Sequence, residues 1–180
     1  MKKILTAICA ATMCFAAVEP GVSRATMSAV EGFINQALSS GPADPYELLG
    51  PARGTYLNGY GALFTFELDL INAGPLNPNP FKPKVTPQEI AATHDRKVKN
   101  LANLKDSMRA LMVNASGTLE GMPGNERVSM EAILFYYSWE NSKDLPRRLF
   151  MSAEKQKLLD AKAAHANPQE LAAIIETQER

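Results

Sequence analysis

Between residues 62 and 70 the chain alternates in polarity. Ala62, Phe64, Phe66, Leu68 and Leu70 fall on one side, and Thr65, Glu67 and Asp69 on the other. Side chains along a strand point to opposite faces in turn, so this pattern predicts a strand with one face packed on a core. Just before it, Gly54-Thr55-Tyr56-Leu57 reads as a partner strand, and Asn58-Gly59-Tyr60-Gly61 supplies glycines for the positive φ of a tight reversal. The unit is a β-hairpin. A hairpin alone is marginal in water and needs further strands or a helix against its apolar face.

The flanking sequence offers that cover. Met27, Val30, Phe33, Ile34, Ala37 and Leu38 recur at three- and four-residue steps, which predicts an amphipathic helix over 26–39, stopped by Ser40-Gly41-Pro42. After the hairpin, residues 72–87 carry prolines at 75, 78, 80, 83 and 87, so this stretch is read as an extended surface connection pinned by Phe81. Thr86-Pro87-Gln88-Glu89 then has the form of a helix start. Thr86 caps, Pro87 fits the first turn and Glu89 closes a capping box. Ile90, His94, Val98, Leu101, Leu104, Met108, Leu111 and Ala115 continue a stripe for about seven turns of 3.6 residues, ended by Ser116-Gly117.

Beyond a Gly/Pro turn at 121–124, residues 127–139 are β-branched, aromatic and apolar. They predict a strand buried on both faces, with 147–153 as its partner across the turn at 141–146. A helix over 154–166 follows, and Asn167-Pro168-Gln169-Glu170 repeats the capping logic for a last helix carrying Leu171, Ile174 and Ile175. The expected fold class is α+β: two β-hairpins in one antiparallel sheet of four strands, packed against a long amphipathic helix and further helices. At 180 residues this is one domain.

Residues 1–25 stand apart from that domain, which is expected to span 26–180. Lys2 and Lys3 precede an uncharged apolar run, Ile4 to Val18, broken by Glu19-Pro20-Gly21. Ser23 and Ala25 place small residues at the −3 and −1 positions of a cleavage site. This is the plan of a secretory signal peptide, and Ala16 offers a second site. The run is shorter than the ~20 residues that cross a bilayer, so no transmembrane segment is expected after cleavage. The expected location is the periplasm or the outside of the cell. Both cysteines, Cys9 and Cys14, would leave with the leader, so the mature chain would hold no disulfide and no thiolate metal site.

Charge narrows the function classes. Nineteen basic residues balance nineteen acidic ones, whereas a protein that neutralises phosphates needs a basic surplus. No nucleic-acid partner is expected. Neither His94 nor His165 has metal-ligand spacing to the other, so no metal site is expected, and no motif calls for a cofactor. His94 lies on the apolar stripe of the long helix, where a hydrogen-bonded histidine at the core edge is the ordinary reading and acid–base catalysis the sharper one. Glu67 and Asp69 share a strand face roughly 7 Å apart by strand rise. That spacing falls in the range of hydrolytic carboxylate pairs, although alternation alone accounts for it. Ser152-Ala153-Glu154-Lys155 matches S-x-x-K without its companion motifs, and Ser152 is read as a helix cap.

The aromatic residues Tyr56, Tyr60, Phe135, Tyr136, Tyr137 and Trp139 offer either core packing or a sugar- or peptide-binding surface, with Tyr56, Tyr60, Tyr137 and Trp139 as the binding candidates. The hairpin Tyr56-Leu57-Asn58-Gly59-Tyr60-Gly61-Ala62-Leu63-Phe64, followed by Glu67, resembles exported bacterial proteins of unknown function. The likeness extends to Leu145-Pro146-Arg147-Arg148 and to the helix at Leu158-Leu159. That resemblance implies export and an α+β fold, and no activity. The functional expectation is therefore an exported, non-catalytic binding domain whose partner is an envelope protein or a cell-wall component. The alternative is an envelope hydrolase using Glu67 with Asp69, or His94.

Overall fold

The computed structural model describes residues 21–39, 45–72 and 85–180. The apolar leader, both cysteines, the Ser40-Gly41-Pro42 stop and the proline-rich stretch at 73–84 lie outside the described residues.

The chain runs α1 (Arg24–Ser39), β1 (Glu47–Leu48), β2 (Arg53–Leu57), β3 (Gly61–Asp69), α2 (Pro87–Thr118), β4 (Arg127–Leu134), β5 (Arg148–Glu154), α3 (Lys155–Ala163), α4 (Pro168–Ile174) and β6 (Glu176–Glu179). Both expected hairpins form. β2 pairs antiparallel with β3, Tyr56 opposite Ala62, and β4 pairs antiparallel with β5, Met130 opposite Met151. Both capping boxes form as well, Thr86 with Glu89 and Asn167 with Glu170, each with proline in the first turn.

The way the hairpins join corrects the expected sheet. β3 and β4 lie side by side and parallel, from Gly61 opposite Arg127 to Leu68 opposite Leu134, so the sheet is mixed. The cause is α2. A strand followed by a helix that runs back along the sheet returns the chain to the end it started from, and the next strand must then point the same way. The sheet also has six strands rather than four. β1 pairs with the C-terminal end of β3 on the edge that β2 occupies, and β6 adds to β5. Lys105 of α2 reaches Glu179 of β6 at 2.6 Å.

The alternation read from sequence sets the core. Phe64, Phe66, Leu68 and Leu70 of the first hairpin are buried with Val128, Met130, Ala132 and Leu134 of β4 and Leu149, Met151 and Ala153 of β5. Leu101, Leu104, Met108, Leu111, Met112 and Ala115 of α2 cover them, together with Met27, Val30, Ile34 and Leu38 of α1. β4 is buried on one face only, its odd-numbered residues half-buried, and it ends at Leu134 instead of running to 139. Its two neighbours run out there, β3 at Asp69 and β5 pairing no further than Ile133. Ser152 lies within β5, and the position just before α3 is held by Glu154, whose side chain makes no capping bond, so the expected capping role for Ser152 is not met. Among the described residues no helix is long and apolar enough to cross a membrane.

Candidate functional site

Parallel strands end together, and the loops beyond their C-terminal ends are where α/β sheets usually build sites. Here β3 ends at Asp69, and the chain leaving β4 passes over that end, with the Phe135 amide donating to Leu68 O at 3.0 Å. The N-terminal half of α2 lies against the same place. Instead of apolar side chains it presents His94, Lys97 and Asn100, spaced three apart and so on one face.

Lys97 is the centre of this contact. It is 1% exposed, and its ammonium meets Asp69 Oδ1 at 2.8 Å and Glu140 Oε2 at 2.5 Å, with both carboxylates 2% exposed. It also donates to Phe135 O at 3.3 Å, so its three N–H groups have three acceptors. The Tyr136 ring lies 4.8 Å below the ammonium, a cation–π contact. One turn back, His94 Nδ1 is 2.9 Å from Asn141 O; a carbonyl only accepts, so Nδ1 carries the proton. One turn on, Asn100 Nδ2 donates to Leu70 O at 2.7 Å. The three side chains latch the segment 135–141 and the end of β3 onto α2.

The latch holds one lysine against two carboxylates, a net negative cluster in a low-dielectric place. Burial pushes the Glu140 carboxyl above its ordinary pKa, and nearby Asp69 adds to the rise, while the bond to Lys97 opposes it. Glu140 Oε1 is buried with no hydrogen-bond partner, where a carboxylate oxygen is costly. The Tyr136 phenol is pushed up by burial first and then by Asp69 and Glu140, and its hydroxyl donates to Pro146 O at 2.7 Å. For Glu140 the fold favours the neutral form. Its contribution to stability is full below the unfolded-state value of 4.5 and is lost as pH rises through the raised folded-state value. Urea melts from about pH 4 to 8 will show this falling component in the native chain, and Glu140→Gln will remove it. An unchanged profile in that variant would refute the assignment.

The segment that the latch holds is aromatic. Phe135, Tyr137 and Trp139 sit at alternate positions of the segment that leaves β4 and turns at 138–139. Phe135 and Tyr137 meet edge to face, with centroids 4.9 Å apart, and Tyr137 and Trp139 lie nearly parallel at 6.0 Å. Tyr137 is 37% exposed, and Phe135 and Trp139 are half-buried. Tyr136, facing the other way, is the ring under Lys97.

The remaining candidates fall elsewhere. Tyr60 is 79% exposed at the tip of the first hairpin. Tyr56 is half-buried near it, its phenol pKa raised by burial and by the neighbouring Glu126 carboxylate, though the two make no well-formed hydrogen bond. Both lie at the start of β3, roughly 25 Å by strand rise from Tyr137 and Trp139. Glu67 is exposed while Asp69 is taken up by Lys97, so the two carboxylates occupy different environments. Ser152 Oγ is 2.8 Å from Ser129 Oγ and accepts from Arg127 Nε, whereas Lys155 Nζ donates to Leu119 O and Met122 O at the end of α2. The S-x-x-K residues are thus separately engaged. His165 follows α3 in a left-handed conformation, φ 52°.

Sequence reasoning missed Lys97 and Glu140. Lys97 does carry a signal: it stands four residues before Leu101 on the stripe that continues through 104, 108, 111 and 115, a charge in an apolar register. Glu140 carries none, because its burial depends on contacts distant in sequence. No family model matches the chain, and no curated protein or solved structure does either.

Proposed function

We propose that the chain is an exported bacterial domain that works by contact, not catalysis, and that Phe135, Tyr137 and Trp139 form its contact surface for an envelope protein or a cell-wall component. The leader pattern at the N-terminus, Lys2 and Lys3 followed by the uncharged apolar run Ile4 to Val18, supports export. The ladder carries the rest: three rings at alternate positions, held by a latch whose charges are all buried. Such rings offer broad apolar faces at low entropic cost, which is why aromatic residues dominate binding hot spots. The acid–base groups nearby do different work. Asp69, Lys97 and Glu140 are buried against one another, and His94 is spent on the backbone of Asn141.

The test is capture by crosslinking from the envelope of the protein's own host, with the tagged wild-type domain beside Tyr137→Ala and Trp139→Ala. Each aromatic truncation should weaken retention by about 2 kcal/mol, roughly 30-fold, with the melting temperature close to that of the wild type. Trp139 is the only tryptophan in the chain, so its fluorescence reports directly on occupancy of the surface. A retained component equally bound by both folded variants would remove the ladder from the proposal, and an empty capture would remove the contact reading.

A further inference from the structure

Among the peptide bonds that satisfy the small-residue rule for removal of the leader are the one after Ala16, with Cys14 at −3, and the one after Ala25, with Ser23 at −3. Sequence does not separate them, but the packing around α1 does. Resting on the export reading above, we propose that the leader is cut after Ala16, so that Val22 to Ala25 remain in the mature chain as part of its fold.

Four contacts argue for this. Val22 packs against the hydrophobic core. Ser23 begins α1: its Oγ accepts from the Thr26 amide at 3.0 Å and its carbonyl from the Met27 amide at 3.1 Å, the first turn of the helix. Arg24 makes a two-pronged contact with Glu31, Nη1 to Oε1 at 2.9 Å and Nη2 to Oε2 at 3.0 Å, and Nη1 also reaches Gly54 O at 3.3 Å. Glu31 Oε1 in turn accepts from the Gly54 amide at 2.7 Å, so Arg24 is one corner of a network that ties α1 to β2. Finally, Gly121 is left-handed, φ 81°, and a Cβ there would stand 3.1 Å from Gly21 O, so the segment before α1 passes close over the turn after α2.

A cut after Ala25 would discard all of this. It would also place a new ammonium group on Thr26, at the helix end where the backbone amides already concentrate positive charge. A cut after Ala16 discards none of it and still removes both cysteines. The apolar run it leaves in the leader, Ile4 to Phe15, fits the length of a signal-peptide core.

The experiment is intact-mass analysis of the full chain, expressed from its own start in a bacterial host and recovered from the exported fraction. The expected first residue is Ala17, and Ala16→Tyr should accumulate precursor. A chain beginning at Thr26 would overturn this inference and leave export standing; any other processed start would also overturn the Ala16 assignment. A chain that keeps Met1 and stays in the cytoplasm would overturn export itself. As an independent readout, residues 17–180 and 26–180 are compared by thermal melting. The shorter chain should melt roughly 5 °C lower or more. Equal melting temperatures would show that Val22 to Ala25 do nothing for the fold.

Discussion

Lys97→Met will cost the domain about 3–5 kcal/mol of stability, because it leaves Asp69 and Glu140 buried without the cation they share. Against a total of roughly 5–15 kcal/mol for a domain of this kind, that brings the chain close to unfolding at neutral pH. The magnitude reflects desolvation more than attraction. Two carboxylates at 2% exposure have lost their water, and the ammonium between them is what compensates. The loss should therefore depend on pH. Glu140 already has a raised pKa, and Lys97 is the partner that opposes the rise, so removing Lys97 drives it further up. A group with a raised folded-state pKa stabilises fully below its unfolded value and loses that contribution as pH rises through the folded one. Lys97→Met should thus be least defective near pH 4 and most defective near pH 8, as urea denaturation at about those two pH values would measure.

Neutralising the carboxylates should restore what the methionine removes. In Lys97→Met combined with Asp69→Asn and Glu140→Gln, no charge is left buried. The asparagine side chain keeps an oxygen for the Ile71 amide that Asp69 now serves at 3.1 Å. Replacement of a buried ion set by neutral groups is often close to energetically neutral. Most of the lost stability should return in the triple variant, and a single variant within about 1 kcal/mol of wild type would show that the latch carries little. On the proposed contact reading the latch also bears on function, because the segment it holds carries Tyr137 and Trp139. A variant that folds but frees this segment should blur the parallel arrangement of the two rings and weaken contact through them.

The parts of the fold legible in the sequence are those fixed by neighbours along the chain. Period-two alternation locates β3, and Gly59 and Gly61 do take positive φ. Thr86 with Glu89, and Asn167 with Glu170, mark two helix starts because a capping box lies within four residues. What escapes depends on distant pairing. The long helix is legible, yet its consequence, a parallel β3 and β4, follows from the return path of the chain and leaves no mark on either strand. β6 gives no signal because Glu176-Thr177-Gln178-Glu179 is exposed throughout and shows no apolar face. Asp69 illustrates the limit at the candidate site. Alternation assigns it with Glu67 to the open side of the strand, and it is buried because the segment 135–141, far along the chain, crosses the strand end. The rings of the ladder are recognisable individually, but Tyr56 and Tyr60 cannot join them, since β3 separates the two groups along its whole length.

Gly61→Ala will be the most damaging change available at the other end of β3. Gly61 sits at φ 127°, where side-chain-bearing residues are strained, and an ideal Cβ there would stand 1.9 Å from Arg127 O and 2.7 Å from Arg127 N. Neither atom belongs to a flexible side chain, so relief requires the backbones of β3 and β4 to part. They meet closely at this point because Gly61 and Arg127 are the first pair of the parallel ladder, and Arg127 N donates to Tyr60 O at 3.0 Å. Strain of this kind costs about 1–3 kcal/mol before any displacement, and with the ladder forced open the loss should exceed about 3 kcal/mol. Gly59→Ala is the internal control. Gly59 also has positive φ, 83°, but nothing lies within 4 Å of its added Cβ, so only the left-handed conformation of about 1–2 kcal/mol is at stake. Urea denaturation of the two variants side by side separates strain from collision. If Gly61→Ala is no worse than Gly59→Ala, the close approach is not what constrains this position. A large difference would mean that the β3–β4 pairing is pinned at Gly61. The same pairing sets Phe135 against Leu68 at the far end, and so decides where the segment carrying Tyr137 and Trp139 leaves the sheet.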